Sequence, residues 1–340
     1  MGVFVRAGSR IFDPSGARLA LAAFIAARTL RLVAVLAAIV VASFAFMHAI
    51  PGDPATIRLG EHASAADVAA LTKALGLDRP WYIQLYAYVE HVVHADLGTS
   101  ILDDEPVIDK LVHYFPATAE LAAGAMIFAT LLGVPLGILA ALRHRGAGDV
   151  AISSLTLLGV SLPVYWLGWM LLYALGVLPS SVGLNLFPIS GRGDPYSIVS
   201  QLHHLALPAI TLGTIPLAIV TKITRSSMLD VMRSDYVRTA RAKGLGETAI
   251  VVHHALRNAL IPIITVLGLQ TGILLGGAVL TEHIFAWPGI GRLAFDAISH
   301  RDMPVVNGCL LLFAMVFVVS GAIVDVLYFR ADPRIGSRNR

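Results

Sequence analysis

Charge is scarce in this sequence. Asp, Glu, Lys and Arg make up 14% of its 340 residues, against roughly 25% in a soluble domain, and 56% of the chain is hydrophobic. With a mean hydropathy of +0.75, the balance places the chain in a membrane. Cysteine is scarcer still. The single Cys309 sits in an apolar run, which excludes an intrachain disulfide framework and any cysteine-based metal or cluster site, and it reads as a small packed hydrophobe. The formal charge is only +3, so nucleic acid is not an expected partner and base matters through its position. The signature motifs of chemistry are missing as well: there is no Gly-x-x-x-x-Gly-Lys-Ser/Thr, no His-Glu-x-x-His and no Gly-x-Ser-x-Gly. The chain is therefore expected to have no catalytic residue, no cofactor or metal of its own and no nucleotide hydrolysis.

What is present is long apolar runs. A bilayer core demands about 20 apolar residues per helix, because lipid offers backbone groups no hydrogen-bond partner. Six stretches meet the demand: Leu32 to Pro51, Leu121 to Leu142, Val150 to about Gly176, Leu205 to Thr221, Asn258 to Thr281 and Pro304 to Val324, none of them holding Asp, Glu, Lys or Arg. The expected fold is an all-α membrane protein with six transmembrane helices. Leu19 to Pro51 is basic-flanked and apolar like a signal peptide, but it is too long and lacks a small-x-small cleavage site. An uncleaved first span is expected, preceded by an interfacial helix over Arg10 to Arg28.

Position of charge sets direction, since Lys and Arg near the spans stay on the cytoplasmic side. The N-terminus to Arg31 carries five of them, the 143–149 loop two, the 222–257 loop seven and the tail after Val324 four; the three other loops carry four, one and two. Both termini are expected in the cytoplasm. The 51–115 segment, on the outer side, holds ten acids against four bases and is long enough to fold against the bundle. The division that follows is a segment 1–27, a first span 28–51, an outer loop 52–115, a core 116–328 with spans two to six, and a cytoplasmic tail 329–340.

In the outer loop, Ser64 is expected to cap a helix over Ala65 to Leu75, with Asp67 at its positive end and Gly76 as its stop. A second helix fits Pro80 to His94, with Pro80 in its first turn. Its apolar residues, among them Trp81, Tyr82, Tyr86, Val89 and Val93, suit either the membrane interface or a cap on the bundle. His91 and His94 are three residues apart on this helix, but lack the third ligand a metal requires and read as solvated or capping histidines. His203-His204 and His253-His254 fall at span edges.

The 222–257 loop differs in kind. Ser234 is placed to cap a helix from Asp235 to Lys243, with Asp235 at its positive end, Arg241 and Lys243 in its last turn, and Gly244 closing it. Gly246 breaks the chain again before a helix from Glu247 leads into the fifth span. A short helix between glycine stops reads as a docking part or as an amphipathic segment held at anionic headgroups.

The run Asp235-Tyr236-Val237-Arg238-Thr239-Ala240-Arg241-Ala242-Lys243-Gly244-Leu245, followed by His254-Ala255-Leu256-Arg257-Asn258-Ala259-Leu260-Ile261-Pro262, resembles the EAA-type loop of ABC importer permeases. More narrowly it resembles the dipeptide, oligopeptide and nickel permease family. Other pieces agree in order: Pro51-Gly52-Asp53-Pro54, Leu75-Gly76-Leu77-Asp78-Arg79-Pro80, Asp96-Leu97-Gly98-Thr99-Ser100, Ser161-Leu162-Pro163-Val164-Tyr165-Trp166, Phe285-Ala286-Trp287-Pro288-Gly289-Ile290-Gly291 and Asp332-Pro333-Arg334. The resemblance implies a type I importer permease with a large outer loop between its first two spans. It assigns a coupling helix, seated in a groove of a cytoplasmic ATPase, to Asp235, Tyr236, Arg238, Thr239, Ala240, Arg241, Ala242, Lys243 and Gly244. Arg238-Thr239-Ala240 stand in the slots of the Glu-Ala-Ala triplet, and Leu256-Arg257 replace its later Leu-Pro, as suits the peptide branch. The implied partners are a homologous second permease, two ATPase subunits that carry ATP and Mg, and an external binding protein; the implied substrates are peptides, with nickel chelates and glutathione as alternatives.

An ion-coupled secondary transporter is the main rival. Such proteins place ionisable groups at mid-bilayer, and here the spans hold none; Glu120 and Asp325 lie near span ends. Pro135, Pro163, Pro208, Pro216 and Pro262 bend spans in ways that suit either a central cavity or ordinary membrane-helix irregularity. Ser161, Tyr165 and Gln270 are the residues expected to face the pathway.

Overall fold

The computed structural model describes residues 14–49, 64–74 and 76–331, without side chains at 14–28, 47, 49, 277 and 324–331. Pro51-Gly52-Asp53-Pro54, Leu75, Asp332-Pro333-Arg334 and the start of the Arg10 to Arg28 stretch lie outside these residues. Among them there is no strand; Thr99 and Pro106 form an isolated bridge.

Helix α1 (Pro14–Ala49) is followed by two short helices, α2 (Ala65–Ala74) and α3 (Trp81–Val93). Next come α4 (Val107–Leu142), α5 (Ala147–Ser161) and α6 (Val164–Ser181), the last wound as a π-helix over Leu172–Val177. Helix α7 (Ile198–Met232) leads to the short α8 (Asp235–Ala242). Helix α9 starts at Glu247–Ala249, is π-wound over Ile250–Leu256 and continues over Arg257–Gly277. Two short helices, α10 (Val279–Ile284) and α11 (Ile290–Ser299), precede α12 (Met303–Ala331). Six of these helices are long and apolar enough to cross a membrane. We refer to the end of the bundle carrying the 222–257 loop as the basic end and to the other as the acidic end.

Helices α4 and α7 have 36 and 35 residues, about 54 and 52 Å at 1.5 Å per residue, so both overshoot a bilayer core of about 30 Å. They start earlier than their apolar runs, at Val107 and Ile198 rather than Leu121 and Leu205. The overshoot brings charges into these helices, and partners hold them: Lys110 bonds Asp103 at 2.5 Å, and Glu120 accepts from Arg192 at 2.5 Å.

The third passage is not one helix. Leu162 is extended (ψ 129°), as a residue before proline prefers, and the helix stops there and restarts after Pro163. The expected span from Val150 to Gly176 is therefore two helices. Both lie antiparallel along α7, with Asp149 against Arg225, Gly159 near Thr214 and Gly168 near Thr211. Pro135, Pro208, Pro216 and Pro262, by contrast, remain inside continuous helices.

The bundle is organised on α4 and α7, which run parallel in close contact. A Cβ at Gly137 would stand 2.5 Å from Thr224 Cβ and 2.7 Å from the Thr221 carbonyl, so only glycine permits this approach. The α7 span is 56% buried and the α1 span 11%, which makes α7 the axis and α1 a peripheral helix. Buried Cys309 packs with Val107, Leu111, Ile290 and Val305 at the acidic end, where Leu97 of the 96–100 motif joins them. At the basic end Ala141, Met228, Val251, Ala255 and Ile263 form a separate cluster.

The acidic-end helices are pinned by capping and polar contacts. Ser64 Oγ accepts from Asp67 N at 3.2 Å and donates to the Asp67 carboxylate at 2.7 Å, which starts α2. Pro80 is the N-cap of α3 rather than a residue of its first turn. Helix α3 lies antiparallel to α1: His48 meets Gln84 at 3.1 Å, and Ser43 and Asn307 converge on Tyr88. His91 bonds Asp96 at 2.8 Å, and His94 bonds the Glu90 carbonyl at 2.8 Å.

Candidate functional site

Helix α8 stands apart as a short, charged helix tied to a large apolar bundle. Its Val237 and Ala240 are buried against Ile250 and Val231, while Asp235, Arg238, Thr239, Ala242 and Lys243 face outward. Three residues apart, inward and outward positions divide the helix lengthwise, as 3.6 residues per turn requires. The Tyr236 hydroxyl accepts from Asn258 Nδ2 at 2.9 Å, which ties α8 to the foot of α9. Arg241 donates two hydrogen bonds to Glu247, at 2.7 and 3.3 Å, and holds that carboxyl below its usual pKa. Arg238 pairs with Asp235 at 3.0 Å, both side chains largely in solvent.

The ends of α8 differ from the expectation in two respects. Ser234 is the N-cap residue, but its hydroxyl donates backward to the Val231 carbonyl at 2.5 Å instead of capping the helix. Lys243 is the C-cap and not the last helical residue. Gly244 follows with φ +80°, its N–H bonding the Arg241 carbonyl while the Leu245 N–H bonds the Ala240 carbonyl. This paired closure is a Schellman motif, which needs a left-handed residue where Gly244 sits. Gly246 has φ −66°, open to any residue, and a Cβ added at either glycine would meet nothing within 4 Å. The two stops are therefore unequal. Gly244→Ala should cost about 1–2 kcal/mol of local strain, whereas Gly246→Ala should be neutral or mildly stabilising. Uptake by cells carrying each variant checks this; equal loss from both removes the assigned role of the Gly244 conformation.

The pathway candidates are not brought together. Ser161 closes α5 and donates to the Leu157 carbonyl at 2.8 Å; Tyr165 is 53% exposed on α6; Gln270 is half-buried on α9. No described hydrogen bond joins any two of them. Among the described residues no group of three His, Cys, Asp or Glu is arranged to hold a metal.

A second cluster, at the acidic end, escaped the sequence reading, which ended the fifth span at Thr281 and passed over the next residue. Glu282 is fully buried. Its carboxylate accepts from Thr118 Oγ1 at 2.8 Å and from Arg292 N at 3.0 Å, with Gly291 N–H as a further backbone donor. Burial pushes this carboxyl above its usual pKa, and the three hydrogen bonds pull in the opposite direction. Thr118 Oγ1 also accepts from Ile290 N at 2.8 Å, and Trp287 Nε1 donates to the Ala117 carbonyl at 2.7 Å. The 285–291 motif is thus a turn folded around one carboxylate. It carries a non-glycine residue, Ala286, at φ +48°. Strain of this kind persists only where the surroundings over-determine it. The sequence signal available was the pair Gly289 and Gly291: a Cβ at the first would collide with the Glu282 carboxylate, and one at the second would stand 2.5 Å from Val279 Cα.

The described residues form an all-helical bundle with six membrane-length helices and one short charged helix at an end, the form of a multi-pass membrane protein. The chain belongs to the family described as binding-protein-dependent transport system inner membrane component, whose model matches residues 133–337, with the N-terminal model of that system matching 21–122. Within it the chain is 45% identical over 326 residues to the dipeptide transport system permease protein DppB of Alkalihalophilus pseudofirmus, covering 91% of this chain and 97% of that protein. It is 44% identical to DppB of Escherichia coli K12 over 86% of this chain and 92% of that one, and 39% identical to the glutathione transport system permease GsiC of Salmonella choleraesuis over 92% and 98%. The inward-facing MetNI methionine ABC transporter structure matches with a TM-score of 0.52 at 16% identity, over 65% of this chain and 96% of that one, and supports the fold. The chain is thus a multi-pass ABC importer permease subunit of the dipeptide family.

Proposed function

We propose that this chain forms part of the translocation pathway for peptides, and that α8 is the point where ATP-driven motion enters it. The observation that carries the reading is the division of α8 into a seated face, Val237 and Ala240, and an exposed charged face. A helix of eight residues braced at both ends moves as a rigid body, so a force on its outer face reaches the bundle undissipated. In this reading the basic end and both termini are cytoplasmic. ATP and Mg belong to two partner ATPase subunits, a second, homologous permease completes the pathway, and an external binding protein delivers substrate to the acidic end. The peptide substrate is supported by the dipeptide permeases at 43–45% identity, and glutathione, itself a tripeptide, by the relative at 39%. Reconstitution of the chain with its permease partner, ATPases and binding protein tests the proposal: ATP-dependent peptide uptake is expected, and undiminished uptake without the ATPases sinks it.

Ser161, Tyr165 and Gln270 are assigned to the pathway wall. Single cysteines at these positions should react with a membrane-impermeant thiol reagent, the rates changing when ATP is added. Buried Cys309 supplies a low background. Protection of all three positions in every state rejects the assignment.

A further inference from the structure

Helix α5 has fifteen residues, mostly apolar, yet the one that is buried is charged. Asp149, in its first turn, has 6% of its side chain exposed. Its carboxylate accepts from Arg225 Nε at 2.6 Å and Arg225 Nη2 at 2.7 Å, from Arg145 N at 2.9 Å and from Ser153 Oγ at 3.4 Å. Arg225 also reaches His144 Nδ1 at 3.3 Å. Two parallel N–H···O bonds from one guanidinium fix orientation as well as distance. The large apolar side chains of α5, such as Leu155, Leu157 and Leu158, stand exposed. Asp149 is the only residue of this helix that is fully buried, and the charge pair holds its basic end.

The other end of α5 is a break. Between Leu162 and Pro163 the helical hydrogen-bond ladder stops, so α5 and α6 meet at a bend. Arg225 lies on α7, which continues without interruption to Met232 and, two residues on, to α8. Beside it α7 is locked to α4 by the close approach of Gly137 to Thr221 and Thr224. The basic end of α7 thus holds α4 by contact and α5 by charge.

We infer that Asp149 and Arg225 are positioning residues of the transport cycle: their ion pair makes α5 a strut that carries displacement of α8 and α7 into α6 through the bend at Leu162-Pro163. The inference rests on α8 being the entry point of ATP-driven motion, and it adds how that motion reaches the third passage. The pair acts as a mechanical tie: a covalent link of similar reach is an adequate substitute, whereas loss of the two-pronged guanidinium–carboxylate grip uncouples hydrolysis from uptake.

The test uses the full transporter in proteoliposomes, with peptide uptake and ATP hydrolysis measured on the same preparation. Removing one partner leaves a buried charge unpaired, so both are neutralised together in D149N/R225Q. This variant should assemble and hydrolyse ATP, while peptide taken up per ATP falls about tenfold, as for a disrupted coupling network. In a C309A background, D149C/R225C should show the same loss. A short bifunctional thiol cross-linker should restore uptake per ATP, and a reductant-cleavable version should lose the gain when reduced. A merely structural role would change yield and leave the ratio alone. Wild-type uptake per ATP in D149N/R225Q overturns the inference, as does a cross-linked pair that gains nothing. If D149N/R225Q fails to assemble, the cross-linked pair before and after reduction decides. Absence of ATPase from the unmodified complex refutes the role of α8 instead.

Discussion

Replacing Glu282 by leucine should abolish uptake and lower the thermal stability of the solubilised complex, whereas Glu282→Gln should stay within a few degrees of the parent. The reason lies in what the carboxylate does. It accepts from Thr118, Arg292 and Gly291, and the carboxylate itself is fully buried. Leucine leaves these donors unmade, at about 1–3 kcal/mol for each buried group. Around them hang the ends of four passages: Thr118 belongs to α4, Ile284 and Phe285 pack with Leu207 of α7 and Leu172 of α6, and Ile290 packs with Val305 of α12. Gly191 N also bonds the Phe285 carbonyl, which fastens the loop before α7 to the same turn. Glutamine keeps one acceptor for the backbone donors, and its amide can donate to Thr118 Oγ1. Burial pushes the carboxyl above its usual pKa while its hydrogen bonds pull the other way, and the acceptors and shape that hold the turn are what glutamine retains. Thermal unfolding followed by fluorescence-detected gel filtration separates the cases. A leucine variant as stable as the parent, or a glutamine variant as damaged as leucine, removes this account.

The contrast between Glu282 and α8 shows which physics a sequence displays. Six spans were legible because lipid imposes a local rule, about 20 consecutive apolar residues, that needs no knowledge of neighbours. Gly244 was legible as a stop for a similar reason: one residue type fits the left-handed position after a helix. The overshoot of α4 was not, because its charges are satisfied at a distance, Glu120 by Arg192 and Lys110 by a loop. Glu282 stands one residue past the expected fifth span, and its burial depends in part on Thr118, 164 positions earlier. Ser234 shows the same limit at short range, since its hydroxyl chooses between a forward cap and a backward bond to Val231. The π-wound segments Leu172–Val177 and Ile250–Leu256 leave no mark in hydrophobic period. The proline at 163 was legible as a disturbance, but a kink and a full break look alike until the neighbour α7 is seen.

The largest effect on transport without loss of insertion is expected from Tyr236→Asp combined with Arg238→Asp: uptake should fall about 100-fold or more, as when a rigid element is misplaced. At Tyr236 the substitution removes the hydroxyl that accepts from Asn258 and reaches toward the His254 carbonyl, contacts the shorter aspartate does not replace. The foot of α8 then loses its tie to α9. At Arg238 the ion pair with Asp235 is exposed and worth little by itself; what changes is the outer face, where a cation becomes an anion beside Asp235. Like charges three residues apart also disfavour the helix by a few tenths of a kcal/mol. The six spans lie elsewhere, and Val237 and Ala240 still supply apolar burial, so membrane abundance should be unchanged. Separating the pair assigns the faces. Tyr236→Asp alone should keep the ATPases bound but weaken uptake per ATP, because the seat has loosened. Arg238→Asp alone should reduce ATPase co-purification, because the gripping face has changed. Normal uptake by the double variant, or loss of the protein from the membrane, would show that α8 is not the handle through which the bundle is moved.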